Sequence, residues 1–291
     1  MDVDLGQLRA LAAAVSEGTF DAAARALQVT PSAISQRIRG LEVAVGQVLL
    51  VRSRPIAVTD AGQAVLRLAR QVQLLVADTA TALGVDQGPV PTVPVAVNAD
   101  SLATWFLPAV APLAGELCLD VHSADQEHTA ALLRDGTVMA AVTADAVPVP
   151  GCTATRLGSM RYRPMASAAF AERWFADGAT AAALRRAPVV VFDRHDDLQH
   201  RYLRSRLRDG TEPPTHHVPA SADYLSAVRL GFGWGMVPDL QREDGDRLVE
   251  LDPAGTVDVP LTWQQWKLRS TSLDALADAV RTSARHALDP E

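Results

Sequence analysis

The segment from Thr30 to Gly46 constrains this chain more than any other. Thr30-Pro31-Ser32 sets a hydroxyl able to cap a helix directly before a proline at the first helical position, where the missing N–H does no harm. The spacing predicts a helix to about Val45, with Gly46 as its terminator. Its two faces differ in kind. Ile34, Ile38, Leu41 and Val45 fall at i, i+4, i+7 and i+11, a stripe that must be buried. Opposite them run Ser32, Ser35, Gln36 and Arg39, with Arg37 at the margin, all able to bond base edges or phosphates. Most polar stripes are simply solvated helix faces. This one begins at a helix N-terminus, where recognition helices touch bases.

Its surroundings fit that use. Leu5, Leu8, Leu11, Ala12 and Val15 recur at helical spacing up to Gly18. Thr19 then caps a second short helix with Phe20, Ala23, Ala24 and Leu27 on its apolar face. Two short helices, a tight turn and a longer capped helix make a helix-turn-helix. Leu49 to Thr59 reads as strand, basic tip, strand: a small wing with Arg52 and Arg54 placed to reach a phosphate backbone. Composition matters here. The formal net charge of the whole chain is −7, so no bulk field draws nucleic acid. Yet between Pro31 and Ile56 the arginines 37, 39, 52 and 54 face only Glu42. The basic footprint is local.

Phe20 to Glu42 (FDAAARALQVTPSAISQRIRGLE) and Val58 to Gly62 (VTDAG) closely resemble the LysR-type transcriptional regulators. The resemblance implies a DNA-binding regulator without cofactor or metal. It adds Thr30 to the DNA-contacting set of Ser32, Ser35, Gln36, Arg37, Arg39, Arg52 and Arg54. It also implies duplex DNA, a small effector, further copies of the chain and RNA polymerase as partners, and no membrane.

No Gly or Pro lies between Gly62 and Gly84, and Ala61, Val65, Leu68, Val72, Leu75, Thr79 and Ala82 alternate steps of four and three. That is a heptad seam, with Arg67, Arg70, Gln71, Gln73 and Asp78 off it. In the family this is the linker helix that pairs two copies, and a two-fold dimer, paired further into a tetramer, implies a roughly palindromic operator. Gly84 to Thr92 is a Gly/Pro-rich connector.

Beyond it the pattern alternates. Strands are predicted at 93–98, 117–122, 138–143, 189–192, 215–218 and 235–237, and helices at 101–113 (broken at Pro108), 127–134, 168–175, 197–207 and 223–230. Such βα alternation implies parallel sheets with ligands beyond the strand ends. Candidate effector residues sit there: Asn98, Asp100 and Ser101 after the first strand, Asp125 after the second, Thr143 after the third, Asp193 and Asp196 after a buried strand, and Asp223 opening a helix. Acidic residues at helix starts are more often caps than ligands. Ser101 is as readily an N-cap as a donor to a bound carboxylate. Taken together they suit a ligand carrying both an acid and an ammonium or guanidinium group.

Val95 to Pro108, Phe192 to Asp197 and Met236 to Gln241 resemble the ArgP/LysG branch, whose members sense lysine and arginine and act on a basic-amino-acid exporter gene. This chain departs from that branch around Ser123 to Gln126, where Asp125 is the single acidic residue. A LysR-type regulator of another amino-acid or small-carboxylate pathway is the alternative. The fold class implied is an all-α winged helix-turn-helix with a long dimerising linker helix, followed by an α/β effector domain of two periplasmic-binding-protein-like subdomains. The expected boundaries are 1–60 for the head, 61–83 for the linker helix, 84–92 for the hinge and 93–291 for the effector domain. Its subdomain I takes about 93–162 and 267–291, its subdomain II about 163–266, with crossovers near 161–165 and 261–267.

An enzyme on a two-lobed scaffold finds little support. No G-x-S-x-G elbow occurs, His216-His217 is an isolated pair, and His122 and His128 lack zinc-ligand company. Gly231 to Gly235 follows a helix and precedes a strand, the reverse of a phosphate loop. Cys118 and Cys152 read as small buried hydrophobes. The N-terminus has no apolar leader and no stretch is long enough to cross a membrane, so a cytoplasmic protein is expected.

Overall fold

Asp4 accepts from the main-chain N–H groups of Gly6 and Gln7 and thereby starts α1 (Leu5–Ser16). Thr19 caps α2 (Phe20–Ala26), and Thr30 caps α3 (Pro31–Val45) by accepting from Ala33 N–H at 3.2 Å. Gly46 ends α3 in the left-handed conformation, φ 76°. The chain is described here by a computed structural model covering residues 3–51, 53–85, 90–123, 126–194, 196–207, 212–242, 245 and 247–289, with 126–128 in the backbone alone. Ile34, Ile38 and Leu41 are buried with Leu8, Leu11, Ala23 and Ala24, while Val45 is half-buried at the rim and Leu5 is exposed. Burying each such aliphatic chain contributes about 1.5–3 kcal/mol. β1 (Leu50–Val51) and β2 (Ala57–Val58) pair antiparallel as the wing.

α4 (Asp60–Ala82), capped by Thr59, grows directly from the wing. Gly62 explains how it can. A Cβ there would lie 2.0 Å from the carbonyl oxygen of Leu49, so only glycine lets the helix start against that strand. The heptad reading needs a correction. Of its positions Val65 is buried in the head's own core; Leu66 and Ala69 in the head, and Leu74 in the core of the following domain, are buried from off the seam. Lower down, Val72, Leu75 and Thr79 of the seam line an apolar groove together with Val76, Ala80, Leu83 and Val85.

The rest is α/β: β3 (Thr92–Val97), α5 (Ala99–Ser101), a π-helical turn (Leu102–Phe106), α6 (Leu107–Val110), a 3₁₀ turn (Ala111–Leu113), β4 (Cys118–Ser123), α7 (Gln126–Arg134), β5 (Ala140–Thr143), β6 (Cys152–Ser167), α8 (Ala168–Trp174), α9 (Ala181–Arg186), β7 (Val189–Val191), α10 (Leu198–Arg206), β8 (Thr215–His217), α11 (Ser221–Arg229), β9 (Gly235–Pro238), a 3₁₀ turn (Asp239–Gln241), β10 (Leu248–Glu250), β11 (Val257–Trp266) and α12 (Thr271–Ala287). One sheet runs β10-β6-β11-β5-β3-β4, with β9 also on β6. Parallel pairing holds for β3 with β4 and β5, and for β7 with β8. The middle is antiparallel, against the expectation of parallel sheets. The chain leaves the first lobe along β6 and returns along β11, so those two long strands must run opposite ways.

Three further expectations need adjusting. The helix broken at Pro108 is instead widened ahead of it, between Leu102 and Phe106, because the proline ring would press on the carbonyl four residues back. Cys152 is buried, but Cys118 opens the edge strand β4 and is exposed. α9, β10 and α12 lie where no element was assigned from sequence. No helix among the described residues is long and apolar enough to cross a membrane.

Candidate DNA-reading face and effector cavity

The polar side of α3 is outward. Thr30, Ser32, Gln36 and Arg39 are exposed, and Ser35 and Arg37 half-buried. The Thr30 and Ser32 hydroxyls lie 2.9 Å apart at the helix start. The Arg37 guanidinium leans back toward α1, 3.9 Å from where a side chain on Gly6 would begin. Arg54 is exposed beside the wing. Arg52 lies outside the described residues, as does Asp125 of the effector set.

Between the two lobes lies a cavity of about 760 Å³, the size of a site for a small metabolite. Asn98, Ala99 and Asp100 reach it from the end of β3, and His122 and Ser123 from the end of β4. Tyr162 enters from β6. Phe192, Asp193, Asp196 and Gln199 come from the segment after β7, and Tyr224 from α11. Asp100 is a strut across this space. Its carboxylate accepts from Ser221 Oγ of α11 at 2.7 Å and from the Tyr162 hydroxyl at 2.8 Å, and Gln241 Nε2 in turn donates to Ser221 Oγ at 2.6 Å. Asp196 accepts from the main-chain N–H groups of Leu198 (3.0 Å) and Phe192 (3.3 Å). Desolvation pushes both carboxyls above the ordinary range, and the hydrogen bonds named recover only part of that cost.

The electrostatic balance is one-sided. Asp100, Asp193, Asp196 and Asp197 face Arg201 alone among the described charged lining residues. Asp197 is held below the usual range by Arg204, which grips it through two N–H···O bonds. Among the described residues Asp100 and Asp196 accept only from neutral groups. Gln199, buried on the cavity wall, donates Nε2 to the Tyr224 hydroxyl at 2.8 Å and leaves its own Oε1 without a partner; Asn98 Oδ1 is likewise unpartnered. Among the described residues no cluster of His, Cys, Asp or Glu could hold a metal ion.

Residues 5–63 match the family model "Bacterial regulatory helix-turn-helix protein, lysR family", and residues 86–285 match the "LysR substrate binding domain". The chain belongs to the LysR family. This LysR-type regulator, a DNA-binding transcription factor by its family, is 42% identical to the lysine export transcriptional regulatory protein LysG of Corynebacterium efficiens, over 94% of this chain and 95% of the relative. It aligns with the crystal structure of ArgP from Mycobacterium tuberculosis at TM-score 0.85 and 44% identity, covering all of both chains. It aligns with full-length LysG from Corynebacterium glutamicum, solved with its effector arginine bound, at TM-score 0.76 and 35% identity over 99% of this chain and all of that one.

In this LysR-type regulator the cavity gathers Asn98, Asp100, Asp193 and Asp196 of the expected effector set. Ser101, Thr143 and Asp223 are not on its wall. Ser101 is fully buried in the turn beneath Asn98. Thr143 is buried at the end of β5, its hydroxyl accepting from Asp145 N–H to close a turn. Asp223 is exposed on the far side of α11, where Ser221 and Tyr224 face inward instead. Sequence reasoning missed Tyr162, Gln199, Ser221 and Tyr224. Gln199 carried a signal, standing in the first turn of the helix that follows Asp196; nothing local marked the other three.

Proposed function

We propose that this regulator reads its operator through the polar face of α3 and responds to a cationic amino acid, arginine or lysine, bound between the lobes. Ser32, Ser35, Gln36 and Arg39 take base edges, and Thr30, Arg37, Arg52 and Arg54 take backbone phosphates. One observation carries the effector: two half-buried carboxylates, Asp100 from one lobe and Asp196 from the other, face one cavity with only neutral partners among the described residues. A guanidinium or ammonium group supplies the missing charge, and Arg201 stands where it can meet the ligand's own carboxylate. The relatives' names support this reading: one is a lysine-export regulator and another carries arginine. Control of a basic-amino-acid exporter gene follows from that likeness. The remaining parts are a cytoplasmic protein without enzymatic activity and a dimer through the open stretch of α4, paired further into a tetramer.

A thermal-shift panel tests the effector. Ligand held only by the folded form raises its melting temperature, by about 2.7 kcal/mol of added stability at a hundredfold excess over Kd. Arginine and lysine should raise it, while citrulline, which keeps arginine's shape without the charge, should not. Equal responses to arginine and citrulline would refute the carboxylate-based reading.

A further inference from the structure

We propose that Arg67 and Arg70 lock the linker helix to the carboxyl end of α7, so that a movement of the cavity wall is delivered to the DNA-reading head. This inference rests on the effector reading above.

The helix α4 changes owner halfway along. Val65, Leu66 and Ala69 are buried in the head, and Leu74 in the effector domain. Arg70 stands at the changeover and is itself buried, 7% exposed. Its guanidinium donates to the carbonyls of Gly136 and Thr137 on one side and, at 3.4 Å, to Ser16 Oγ at the end of α1 on the other. One side chain thus joins three parts of the molecule. Burial draws its pKa down to about 10, which still leaves it charged at neutral pH.

Arg67, one turn earlier, donates to the carbonyls of Leu133 at 2.9 Å and Arg134 at 3.3 Å, and lies over the Trp266 ring at 5.2 Å. Trp266 Nε1 donates to that same Leu133 carbonyl. Four carbonyls, two in the last turn of α7 (Leu133, Arg134) and two just past it (Gly136, Thr137), are therefore held by two fork-shaped cations, which suits the negative end of a helix. The contact is close because Gly136, at φ +82°, has no side chain: a Cβ there would stand 3.2–3.4 Å from Arg67 N, Cβ and Cα.

Besides packing on β5 and β3, α7 borders the cavity. His122 and Ser123, which end the strand before it, line the wall, and so does Leu132 within it. Leu132 on the wall directly precedes the fastened Leu133 carbonyl, so a displacement of the wall there reaches the attachment to α4. Arg67 and Arg70 are positioning residues: they touch neither effector nor DNA. Coupling needs a shared element that both sites bias, and α7 with α4 is that element.

The test uses the full chain, a duplex selected from a random pool by the wild type, and L-arginine as probe. Arg70→Met and Arg67→Met/Arg70→Met keep the aliphatic stems and delete the forks; Arg67→Met alone serves should the double variant not fold. Arginine affinity, duplex affinity and footprint with and without saturating arginine, and amide hydrogen exchange of residues 132–138 in the free protein are compared with wild type. The expected result is arginine and duplex affinities each within about threefold of wild type, loss of the arginine-induced change in duplex affinity or footprint, and at least tenfold faster exchange in 132–138. Retention of the wild-type response, or unchanged exchange at 132–138, overturns the lock. So does loss of both separate affinities, which marks a folding role. If arginine does not bind the wild type, the effector reading has failed, and the exchange of 132–138 still decides whether the lock exists.

Discussion

Single side chains carry two separable electrostatic tasks in this molecule. On α3, Arg39 is exposed within a local basic footprint of an otherwise acidic chain. Arg39→Ala should weaken binding to a selected duplex by about 1–3 kcal/mol if it reads a base, or reduce the salt slope by about one if it meets a phosphate. Gel retardation across a salt series distinguishes them, and unchanged retardation at every salt would remove α3 from the interface. In the cavity, burial raises the Asp100 and Asp196 carboxyls. A carboxyl that holds its proton more tightly when folded contributes stability below its unfolded pKa and loses it as pH rises through the folded one. Asp197 and Asp258, held low by Arg204 and Arg161, act with the opposite sign and titrate below that window. Binding a cation favours the ionised carboxylates. The arginine-induced rise in melting temperature should therefore grow as pH rises from the ordinary carboxylate range toward neutrality. A shift that is flat across this range would mean that neither buried carboxylate meets the ligand's charge.

Elements join by close approach as much as by apolar stripes. α4 begins against the wing only because Gly62 leaves the Leu49 carbonyl its space. Gly62→Ala should destabilise the head by at least about 1–3 kcal/mol, read as earlier loss of head helicity on heating, since neither backbone can retreat without unpacking α1 from α4. A head melting as wild type would show that the helix start can shift freely. At this scale, local signals decided much. Thr19 and Thr30 as caps, Gly46 as a left-handed terminator and Ile34-Ile38-Leu41 as the buried stripe all act within one or two turns, so a reading of neighbours suffices. The heptad reading of α4 missed the use of its upper end for the same reason. An apolar periodicity announces that a face will be covered without naming what covers it, and Val65 is covered by the chain's own head.

For the whole molecule, what stays uncovered on α4 matters most. Val72, Leu75, Val76 and Leu83 line one groove, and Leu75, Val76 and Leu83 are exposed in the single chain. Paired against a second copy, they continue the seam that the upper helix loses to its head. Val72→Glu/Leu75→Glu should shift the protein from dimer toward monomer in sedimentation velocity and cost most of its operator affinity, because a monomer engages one half-site instead of two. A double variant that sediments as the parent does would place the interface elsewhere. The cavity between the lobes likewise exists only at this scale. Asp100 meets Tyr162 across 62 residues of chain and Ser221 across 121, brought together by the antiparallel crossover of β6 and β11.

Chain order and residue type alone were enough for the helix-turn-helix, the wing, the positions of most helices and strands, and the carboxylates near the cavity, because caps, periodicity and turn residues act over a few neighbours. Folding in three dimensions settled which acidic groups face inward, how α4 divides its apolar surface, and that two arginines off the seam fasten one half of the protein to the other. Those outcomes depend on partners dozens of positions away, and free energy gained on burial is indifferent to where along the chain the covering atoms come from.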